Sequence, residues 1–290
     1  MSSAHSECPL CASKGHRSVA GFENHHLVKC RACGFVYCLQ DPSVEELRAF
    51  YRGYPVRDVL SPVTALRFDE LLDRFEPYRK TGRLIDVGCG AGLFLERAAL
   101  RGWEVFGTEY GDRAVAACKA RGIRIIEGPL DPSNYGDDHF DVVCSFEVIE
   151  HLAHPRQEIA RMARILRPGG LLYMTTPNFN SMGRLFSRSA WSIVNYPEHL
   201  SYFTPRTLRR LARSAGLRQQ WMLTTGVHLW RLRGALGRAS ASTGNPQDDV
   251  LRERIESSTW LKLVKALVNG LLNLFKVGDS MKAGFRKPAQ

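Results

Sequence analysis

From Arg83 onward the chain alternates between two rhythms. Short apolar runs, RLIDVG, WEVFGTE, IRIIEG, FDVVCSF and LLYMTTP, predict strands. Between them, AGLFLERAALRG, DRAVAACKARG and PRQEIARMARIL repeat apolar residues every three or four positions and predict helices, the first ending at Gly102. RPGG predicts a turn, and LARSAGLRQQWMLTT adds a helix and a sixth strand. Such alternation predicts a parallel sheet covered by helices on both faces, with a ligand at the carboxyl ends of the strands. Upstream, EELRAFYRGY is amphipathic and a second helix is predicted over Ala65–Tyr78, so residues 41–80 read as a helical linker. Near the end, STWLKLVKALVNGLLNLFK has one polar stripe, Lys262, Lys265, Asn269, Asn273 and Lys276, on an otherwise apolar helix. So wide an apolar face must be covered. The expectation is a lid packed on its own domain; the alternative is a cationic helix on a membrane surface, near a lipid-borne substrate.

Composition narrows the class. The 290 residues, 44% hydrophobic and 24% charged, suffice for one large domain and a small one. No run of about 18 uncharged apolar residues predicts a spanning helix. The start, MSSAHSECPLC, lacks an apolar signal region. Eight cysteines without such a signal point to a reducing, cytoplasmic setting and to metal or free thiols rather than disulfides. Peripheral attachment at the inner membrane face would go with the membrane-surface helix. Residues 200–290 hold 16 Lys+Arg against 5 Asp+Glu and so carry the whole net charge of +11. A basic end attracts nucleic acid, acidic lipid or phosphorylated molecules, or simply solvates a face.

Cys8 and Cys11 form one C-x2-C pair and Cys30 and Cys33 another, with eighteen residues between the pairs. Four thiolates can converge tetrahedrally on one Zn²⁺, with Gly34 turning the second knuckle. A site closed by four cysteines stabilises rather than catalyses. Residues 1–40 are therefore expected to be a zinc ribbon. Cys38 is expected to be a spare, His16, His25 and His26 are weaker alternative ligands, and Cys89, Cys118 and Cys144 read as small core residues.

Gly88-Cys89-Gly90-Ala91-Gly92 departs from the dinucleotide fingerprint, whose third glycine would fall at Leu93. The loop still lets a ligand approach the backbone closely. Glu109 ends the second strand, 17 residues beyond Gly92, where a carboxylate can accept from both ribose hydroxyls. IDVGCGAG, Glu109, FDVVCSFEVIEHLAHP and LRPGGLLYMTTPN together resemble the class I S-adenosylmethionine-dependent methyltransferases over residues 82–225. The resemblance implies a Rossmann-like α/β sheet of seven strands, the last one antiparallel and supplied by GDSMKAGFRK. Residues 81–225 and 278–290 would then form the methyltransferase domain and 226–277 a helical insertion before the last strand. It also implies that Asp86, Gly88, Gly90 and Gly92 cradle the methionine part of the cofactor and that Glu109 holds its ribose. Leu130 and Phe146 would lie beside the cofactor. The stretch Gly128-Pro129-Leu130 lacks the aspartate that many relatives carry for the adenine amine, so backbone groups or Asp131 would take that contact.

FEVIEHLAHP places Glu147, Glu150 and His151 at i, i+3 and i+4, on one face if the stretch is helical. Downstream, NYPEHLSYFT adds His199. This order resembles the small-RNA 2′-O-methyltransferases and is similar to the quinone-biosynthesis O-methyltransferases. In the RNA enzymes the resemblance implies that two Glu and two His hold a divalent ion, here Glu147, Glu150, His151 and His199. A Lewis acid would lower a hydroxyl's pKa and fix a vicinal diol. Oxygen ligands suit Mg²⁺, and the imidazoles admit Mn²⁺, Fe²⁺ or Zn²⁺. The alternatives are a metal-free base, His199 or His151, and a purely structural helix start. Tyr196, Asn178 and Tyr202 are candidate substrate contacts.

The leading expectation is therefore O-methylation of a small-molecule, sugar or glycan hydroxyl. A ribbon ahead of this fold also resembles sugar C-methyltransferases. An RNA 2′-O-methyltransferase is the second class, although no aromatic and basic run of an RNA platform is present. A non-enzymatic module docking through its ribbon is the third. Acceptor identity and oligomeric state are not written in the sequence.

Overall fold

The computed structural model describes residues 3–43, 45–47, 50, 56, 58–226 and 258–289. Most of the amphipathic stretch 45–54 and the first part of the insertion, 227–257, lie outside the described residues.

The N-terminal part holds β1 (Ser3–Ala4), β2 (His16–Ser18), β3 (Leu27–Cys30), β4 (Val36–Cys38) and β5 (Gln40–Asp41). Helix α1 (Pro62–Phe75) starts where the Ser61 side chain accepts from the Thr64 N–H and Pro62 occupies the first turn. It runs on into a 3-10 turn, Glu76–Tyr78, so the predicted helix starts three residues early and ends on position. Then follow β6 (Arg83–Val87), α2 (Leu93–Leu100), β7 (Glu104–Glu109), α3 (Asp112–Ala120), β8 (Arg124–Glu127), β9 (Phe140–Phe146), α4 (Pro155–Ile165) and β10 (Leu166–Pro177). The chain ends with α5 (Met182–Ser187), β11 (Ser201–Tyr202), α6 (Pro205–Ser214), β12 (Arg218–Thr225), α7 (Thr259–Phe275) and β13 (Ser280–Arg286).

Seven strands form one sheet in the order β12-β13-β10-β9-β6-β7-β8. The five from β10 to β8 are parallel, and β13 inserts antiparallel between β10 and β12, with Ala283 opposite Met174 on one side and Met222 on the other. This is the expected Rossmann-like sheet. Alternation sorts each strand's side chains to two cores. Ile85, Val143, Leu172 and Met174 pack with α4 and α6. Leu84, Val142, Leu171 and Tyr173 pack with α1 and α2. The strand order reverses between β6 and β9, the crevice where such sheets bind ligands.

RPGG is not a turn between elements. It is the irregular start of β10, with a register shift against β9 between Leu166 and Leu171 and Gly169 at φ +77°. The distortion has a cause. Buried Arg167 ion-pairs through Nε with buried Asp141 Oδ1 and donates to the carbonyls of Tyr78 and Pro168. Asp141 Oδ2 accepts the backbone N–H groups of Lys80, Thr81 and Gly82, each at 2.7 Å. One buried pair thus joins the linker to the middle of the sheet.

The ribbon sheet, β2-β3-β4, takes its fourth strand, β11, from residues 201–202. Cys8, Cys30, Cys33, Phe35 and Tyr37 share one continuous buried core with Ile149, Phe203 and Leu208.

The insertion helix corrects the lid expectation. Its polar stripe, not its apolar face, meets the domain: Asn273 Oδ1 accepts from the Thr224 N–H and Asn269 Oδ1 from the Gly226 N–H. Leu272 is its one buried residue among those described. Trp260, Leu263, Leu267, Leu271, Leu274 and Phe275 are exposed, as are Leu185 and Phe186 on neighbouring α5.

Candidate active site

The candidate cofactor side is built on the turn after β6. Gly88, Gly90 and Gly92 all have positive φ, +76°, +54° and +77°, which L side chains rarely adopt. Two of them are also close approaches. A Cβ on Gly88 would lie 2.6 Å from Val148 Cγ2, and one on Gly92 would lie 2.5 Å from Ile123 Cδ1. A Cβ on Gly90 would meet nothing within 4 Å, so the loop opens to one side there. Glu109 braces the loop by accepting the Gly90 N–H at 2.8 Å through Oε2, while Oε1 accepts from Tyr110 and Gly111.

Asp86 is buried at the carboxyl end of β6, and its Oδ1 has no hydrogen-bond partner. Burial, and then the nearby Glu109 charge, push its carboxyl up to about 8. A cationic amine would relieve that orphaned oxygen, so the residues present fit the methionine end of S-adenosylmethionine. Leu130 is buried in the core shared by the sheet and the ribbon, and half-buried Phe146 packs against Phe94 at 4.9 Å and Tyr173 at 5.3 Å. Asp131 is exposed and turned to its own backbone, where Oδ1 accepts the Ser133 N–H and caps a short turn.

The acceptor side departs from the helical reading of FEVIEHLAHP. Only Ile149–His151 make a turn, of 3-10 type, and α4 begins at Pro155. Glu147 lies outside that turn at φ +53°, held by its N–H to Thr175 O at 3.1 Å. The strand end, not a helix face, therefore presents it. A short turn also brings three of the four predicted groups together: one donor atom each from Glu150, His151 and His199 lie within 4.8 Å of one another. Exposed Glu147 adjoins this group through its effect on Glu150 rather than as a member.

Each of the three is held from outside. The carboxylate of Glu150, 3% exposed, accepts from Thr176 Oγ1 at 2.9 Å. Burial, and then the Glu147 charge, raise its carboxyl well above the ordinary range. His151 donates from Nδ1 to Glu198 O at 2.9 Å, and burial followed by His199 lowers its imidazole to about 4. His199 donates from Nδ1 to Ile193 O at 2.6 Å, which makes Nε2 its basic nitrogen. The rings stand 4.7 Å apart. The donor set, one carboxylate and two neutral imidazoles, fits a divalent ion.

The ribbon positions His199. Strand β4 pairs with β11, the Cys38 N–H donates to Leu200 O at 2.8 Å, and Leu200 N–H donates to Glu150 O at 2.8 Å. Cys38 stays outside the four-thiol cluster, as expected, and its thiol, pushed up to about 12 by burial, donates to the His199 carbonyl. Sequence reasoning missed Thr176, Val148 and Cys38; for Thr176 the only trace was its place in TTPN. Asn178 is fully buried and its amide is used on Lys276 O, Gly278 O and Asn180 N–H, so it ties loops instead of meeting substrate. Tyr202 donates to His199 O, and Tyr196 packs edge-on to His26 of the ribbon.

At the ribbon, Cys8, Cys11, Cys30 and Cys33 form one four-thiol cluster, with Cys8–Cys33 at 3.7 Å and Cys11–Cys30 at 3.6 Å between sulfurs. The hydrogen bond from Cys8 lowers Cys33 to about 5, while Cys8 itself is raised. Four converging sulfurs fit one Zn²⁺.

The methyltransferase domain family matches residues 63–220. Among curated relatives, the ubiquinone biosynthesis O-methyltransferase of Saccharophagus degradans is 30% identical over 58% of this chain and 74% of its own length. That of Marinobacter nauticus is 33% identical over 44% of this chain and 57% of its own. An S-adenosylmethionine-dependent methyltransferase of Archaeoglobus fulgidus shares the fold at TM-score 0.51 and 18% identity, covering 83% of this chain and 98% of that one. With more than half of its length matched to that domain and the sheet closed by an antiparallel last strand, the chain belongs to the class I S-adenosylmethionine-dependent methyltransferases.

Proposed function

We propose that the chain transfers a methyl group to a hydroxyl oxygen of a small-molecule acceptor, held at the Glu150–His151–His199 cluster. That cluster carries the reading: one buried carboxyl and two imidazoles, brought together from the turn after β9 and the loop ahead of β11. S-adenosylmethionine, when bound, supplies the activated methyl and its leaving group. The protein's tasks are to orient the acceptor oxygen and remove its proton. His199, with Nδ1 engaged by Ile193 O, offers Nε2 as the base. With a divalent ion bound, Glu150, with Glu147 beside it, His151 and His199 would be its ligands, His199 through that same Nε2, and the ion in place of His199 would then lower the acceptor's pKa. Asp86, Gly88, Gly90, Gly92 and Glu109 would bind the cofactor, with Leu130 and Phe146 lining its crevice. The relatives' names support oxygen as the acceptor atom and a quinone precursor as the first class to test, with glycan hydroxyls second.

The test is methyl transfer from labelled S-adenosylmethionine to catechol-type and sugar hydroxyls, with ribbon zinc measured throughout. The expected result is transfer that His199→Ala lowers at least about 100-fold. EDTA abolishes it and Mg²⁺ or Mn²⁺ restores it if the ion takes part; transfer that survives EDTA leaves the base mechanism alone. Calorimetric binding of the cofactor with no transfer to any hydroxyl would refute the reading.

The reversed helix favours a second element of function. We infer that the apolar face of α7, with Leu185 and Phe186, lies on an anionic lipid surface, its cations Lys262 and Lys276 at the rim. No helix among the described residues is long and apolar enough to cross a membrane. Sedimentation with anionic vesicles should be lost in a Leu267→Glu, Leu271→Glu variant whose melting temperature is unchanged. Loss of a dimer in that variant, with no vesicle binding by the wild type, would assign the face to a second copy instead.

A further inference from the structure

Away from the acceptor cluster, side chains from three distant stretches meet at the seam between the N-terminal segment and the loop ahead of α4. The β1–β5 ladder sets two of them: Ser3 pairs with Asp41, Ala4 with Gln40, and the His5 N–H donates to Leu39 O at 2.8 Å. The third, His154, is the residue before Pro155, three positions beyond His151. Asp41 Oδ1 lies 2.7 Å from His5 Nε2, and Asp41 Oδ2 lies 3.5 Å from His154 Nε2. The two rings stand 5.3 Å apart at 80°. One donor atom from each of the three lies within 4.8 Å of the others.

The close approach of His5 to Asp41 is not an ordinary hydrogen bond. Asp41 Oδ1 is buried and has no hydrogen-bond partner despite the 2.7 Å separation. A nitrogen and a carboxylate oxygen that close, with no N–H on the line between them, are arranged like two ligands of a common cation. Around a metal with bonds of about 2.0 Å, neighbouring ligand atoms are about 2.9 Å apart in octahedral and about 3.3 Å in tetrahedral geometry. The observed 2.7 and 3.5 Å bracket these values. The side chains of His5 and Asp41 are 8% and 17% exposed, whereas His154 is 55% exposed, so the cluster is shielded on one side and open on the other.

We propose that His5, Asp41 and His154 bind a divalent transition-metal ion. Two imidazoles and one carboxylate suit Zn²⁺, Fe²⁺ or Mn²⁺, with water completing the shell. The site is separate from the four cysteines and from the Glu150–His151–His199 cluster, with which it shares no residue. The ion would fasten the N-terminal segment to the loop that carries His151, so occupancy would stabilise the acceptor side without touching substrate.

The experiment uses the full chain in a His199→Ala background, which disables the neighbouring cluster. Bound zinc is counted by elemental analysis, and Co²⁺ binding is followed by absorption. Adding His154→Ala, or separately His5→Ala, should remove one equivalent of Zn²⁺ and of Co²⁺. The Co²⁺ signal lost should be a d–d band without the thiolate charge transfer that marks the four-cysteine site. Added Zn²⁺ should raise the melting temperature of the background protein and leave that of the His154→Ala protein unmoved. Half-exposed His154 makes its alanine variant safe for folding, and His5→Ala provides an independent second reading. Equal zinc stoichiometry and an equal thermal response with and without His154 would overturn the proposal.

Discussion

At the scale of single residues, the glycine loop separates conformation from contact. Gly90 and Gly92 both need positive φ, and alanine in that region costs about 1–2 kcal/mol. Around Gly92 the added methyl also strikes Ile123 and Cys118, whereas around Gly90 it enters open space. Gly92→Ala should therefore lower the melting temperature clearly more than Gly90→Ala. Gly90→Ala should keep most of the stability yet weaken S-adenosylmethionine binding at least about 10-fold, because the methyl fills the cofactor's side of the loop. Thermal melts and calorimetry on the two variants check this. Glu150 gives the opposite contrast. Burial and Glu147 push its carboxyl up, so Glu150→Gln removes the ionisable group, and with it that burial cost, while keeping an acceptor for Thr176. Its melting temperature should stay at or above the wild-type value while the rate falls about 100-fold or more, read by single-turnover methyl transfer.

At the scale of elements, one buried ion pair organises the entry to the sheet. Asp141 sits at the start of β9, Arg167 at the start of β10, and together they hold the carbonyl and N–H groups of the linker at Tyr78–Gly82. Burial alone would raise the Asp141 carboxyl, but Arg167 and the linker N–H groups outweigh it and the group is held below its ordinary value. A carboxyl depressed on folding contributes stability above its unfolded pKa and loses it as pH falls through the folded one. Asp141→Asn leaves Arg167 buried without its partner and should cost about 3–5 kcal/mol at neutral pH. Urea melts from pH 7 down to about 3 should show the gap to wild type narrowing below about pH 4. The pair was not legible in the sequence: Asp141 read as one residue of a strand and Arg167 as the start of a turn, and they are 26 positions apart. The helices and strands themselves were legible, because the three- or four-residue and two-residue rhythms arise from local backbone geometry.

At the scale of the whole molecule, the ribbon and the catalytic sheet share one core, so zinc should matter to both. Cys33→Ser removes one of four sulfurs at a cluster that shares a core with Phe35 and Phe203, the latter next to the strand that follows His199. The expected outcome is one cooperative melt at lower temperature and a methyl-transfer rate reduced beyond the loss of folded protein. Calorimetry with zinc release followed by a chromogenic chelator checks it; two separate melting transitions with an unchanged rate would show an independent ribbon.

What the sequence alone determined is what depends on neighbours in the chain. Strand and helix periods, two cysteine knuckles and the positive-φ glycines are short-range constraints, and they were enough for the fold class and for the glycine turn after β6. The candidate acceptor side was only half legible. Three of its four named residues, Glu150, His151 and His199, come together, but helical spacing was the wrong reason for grouping them. Glu150 and His151 meet His199, 48 positions away from His151, because β4 of the ribbon holds β11 and β11 begins two residues after His199. The reversed face of α7 and the meeting of His5, Asp41 and His154 are of the same kind. A periodic pattern says that a helix has two faces; only the sheet edge it docks against, here the open backbone groups of Thr224 and Gly226 met by two asparagines, decides which face turns inward.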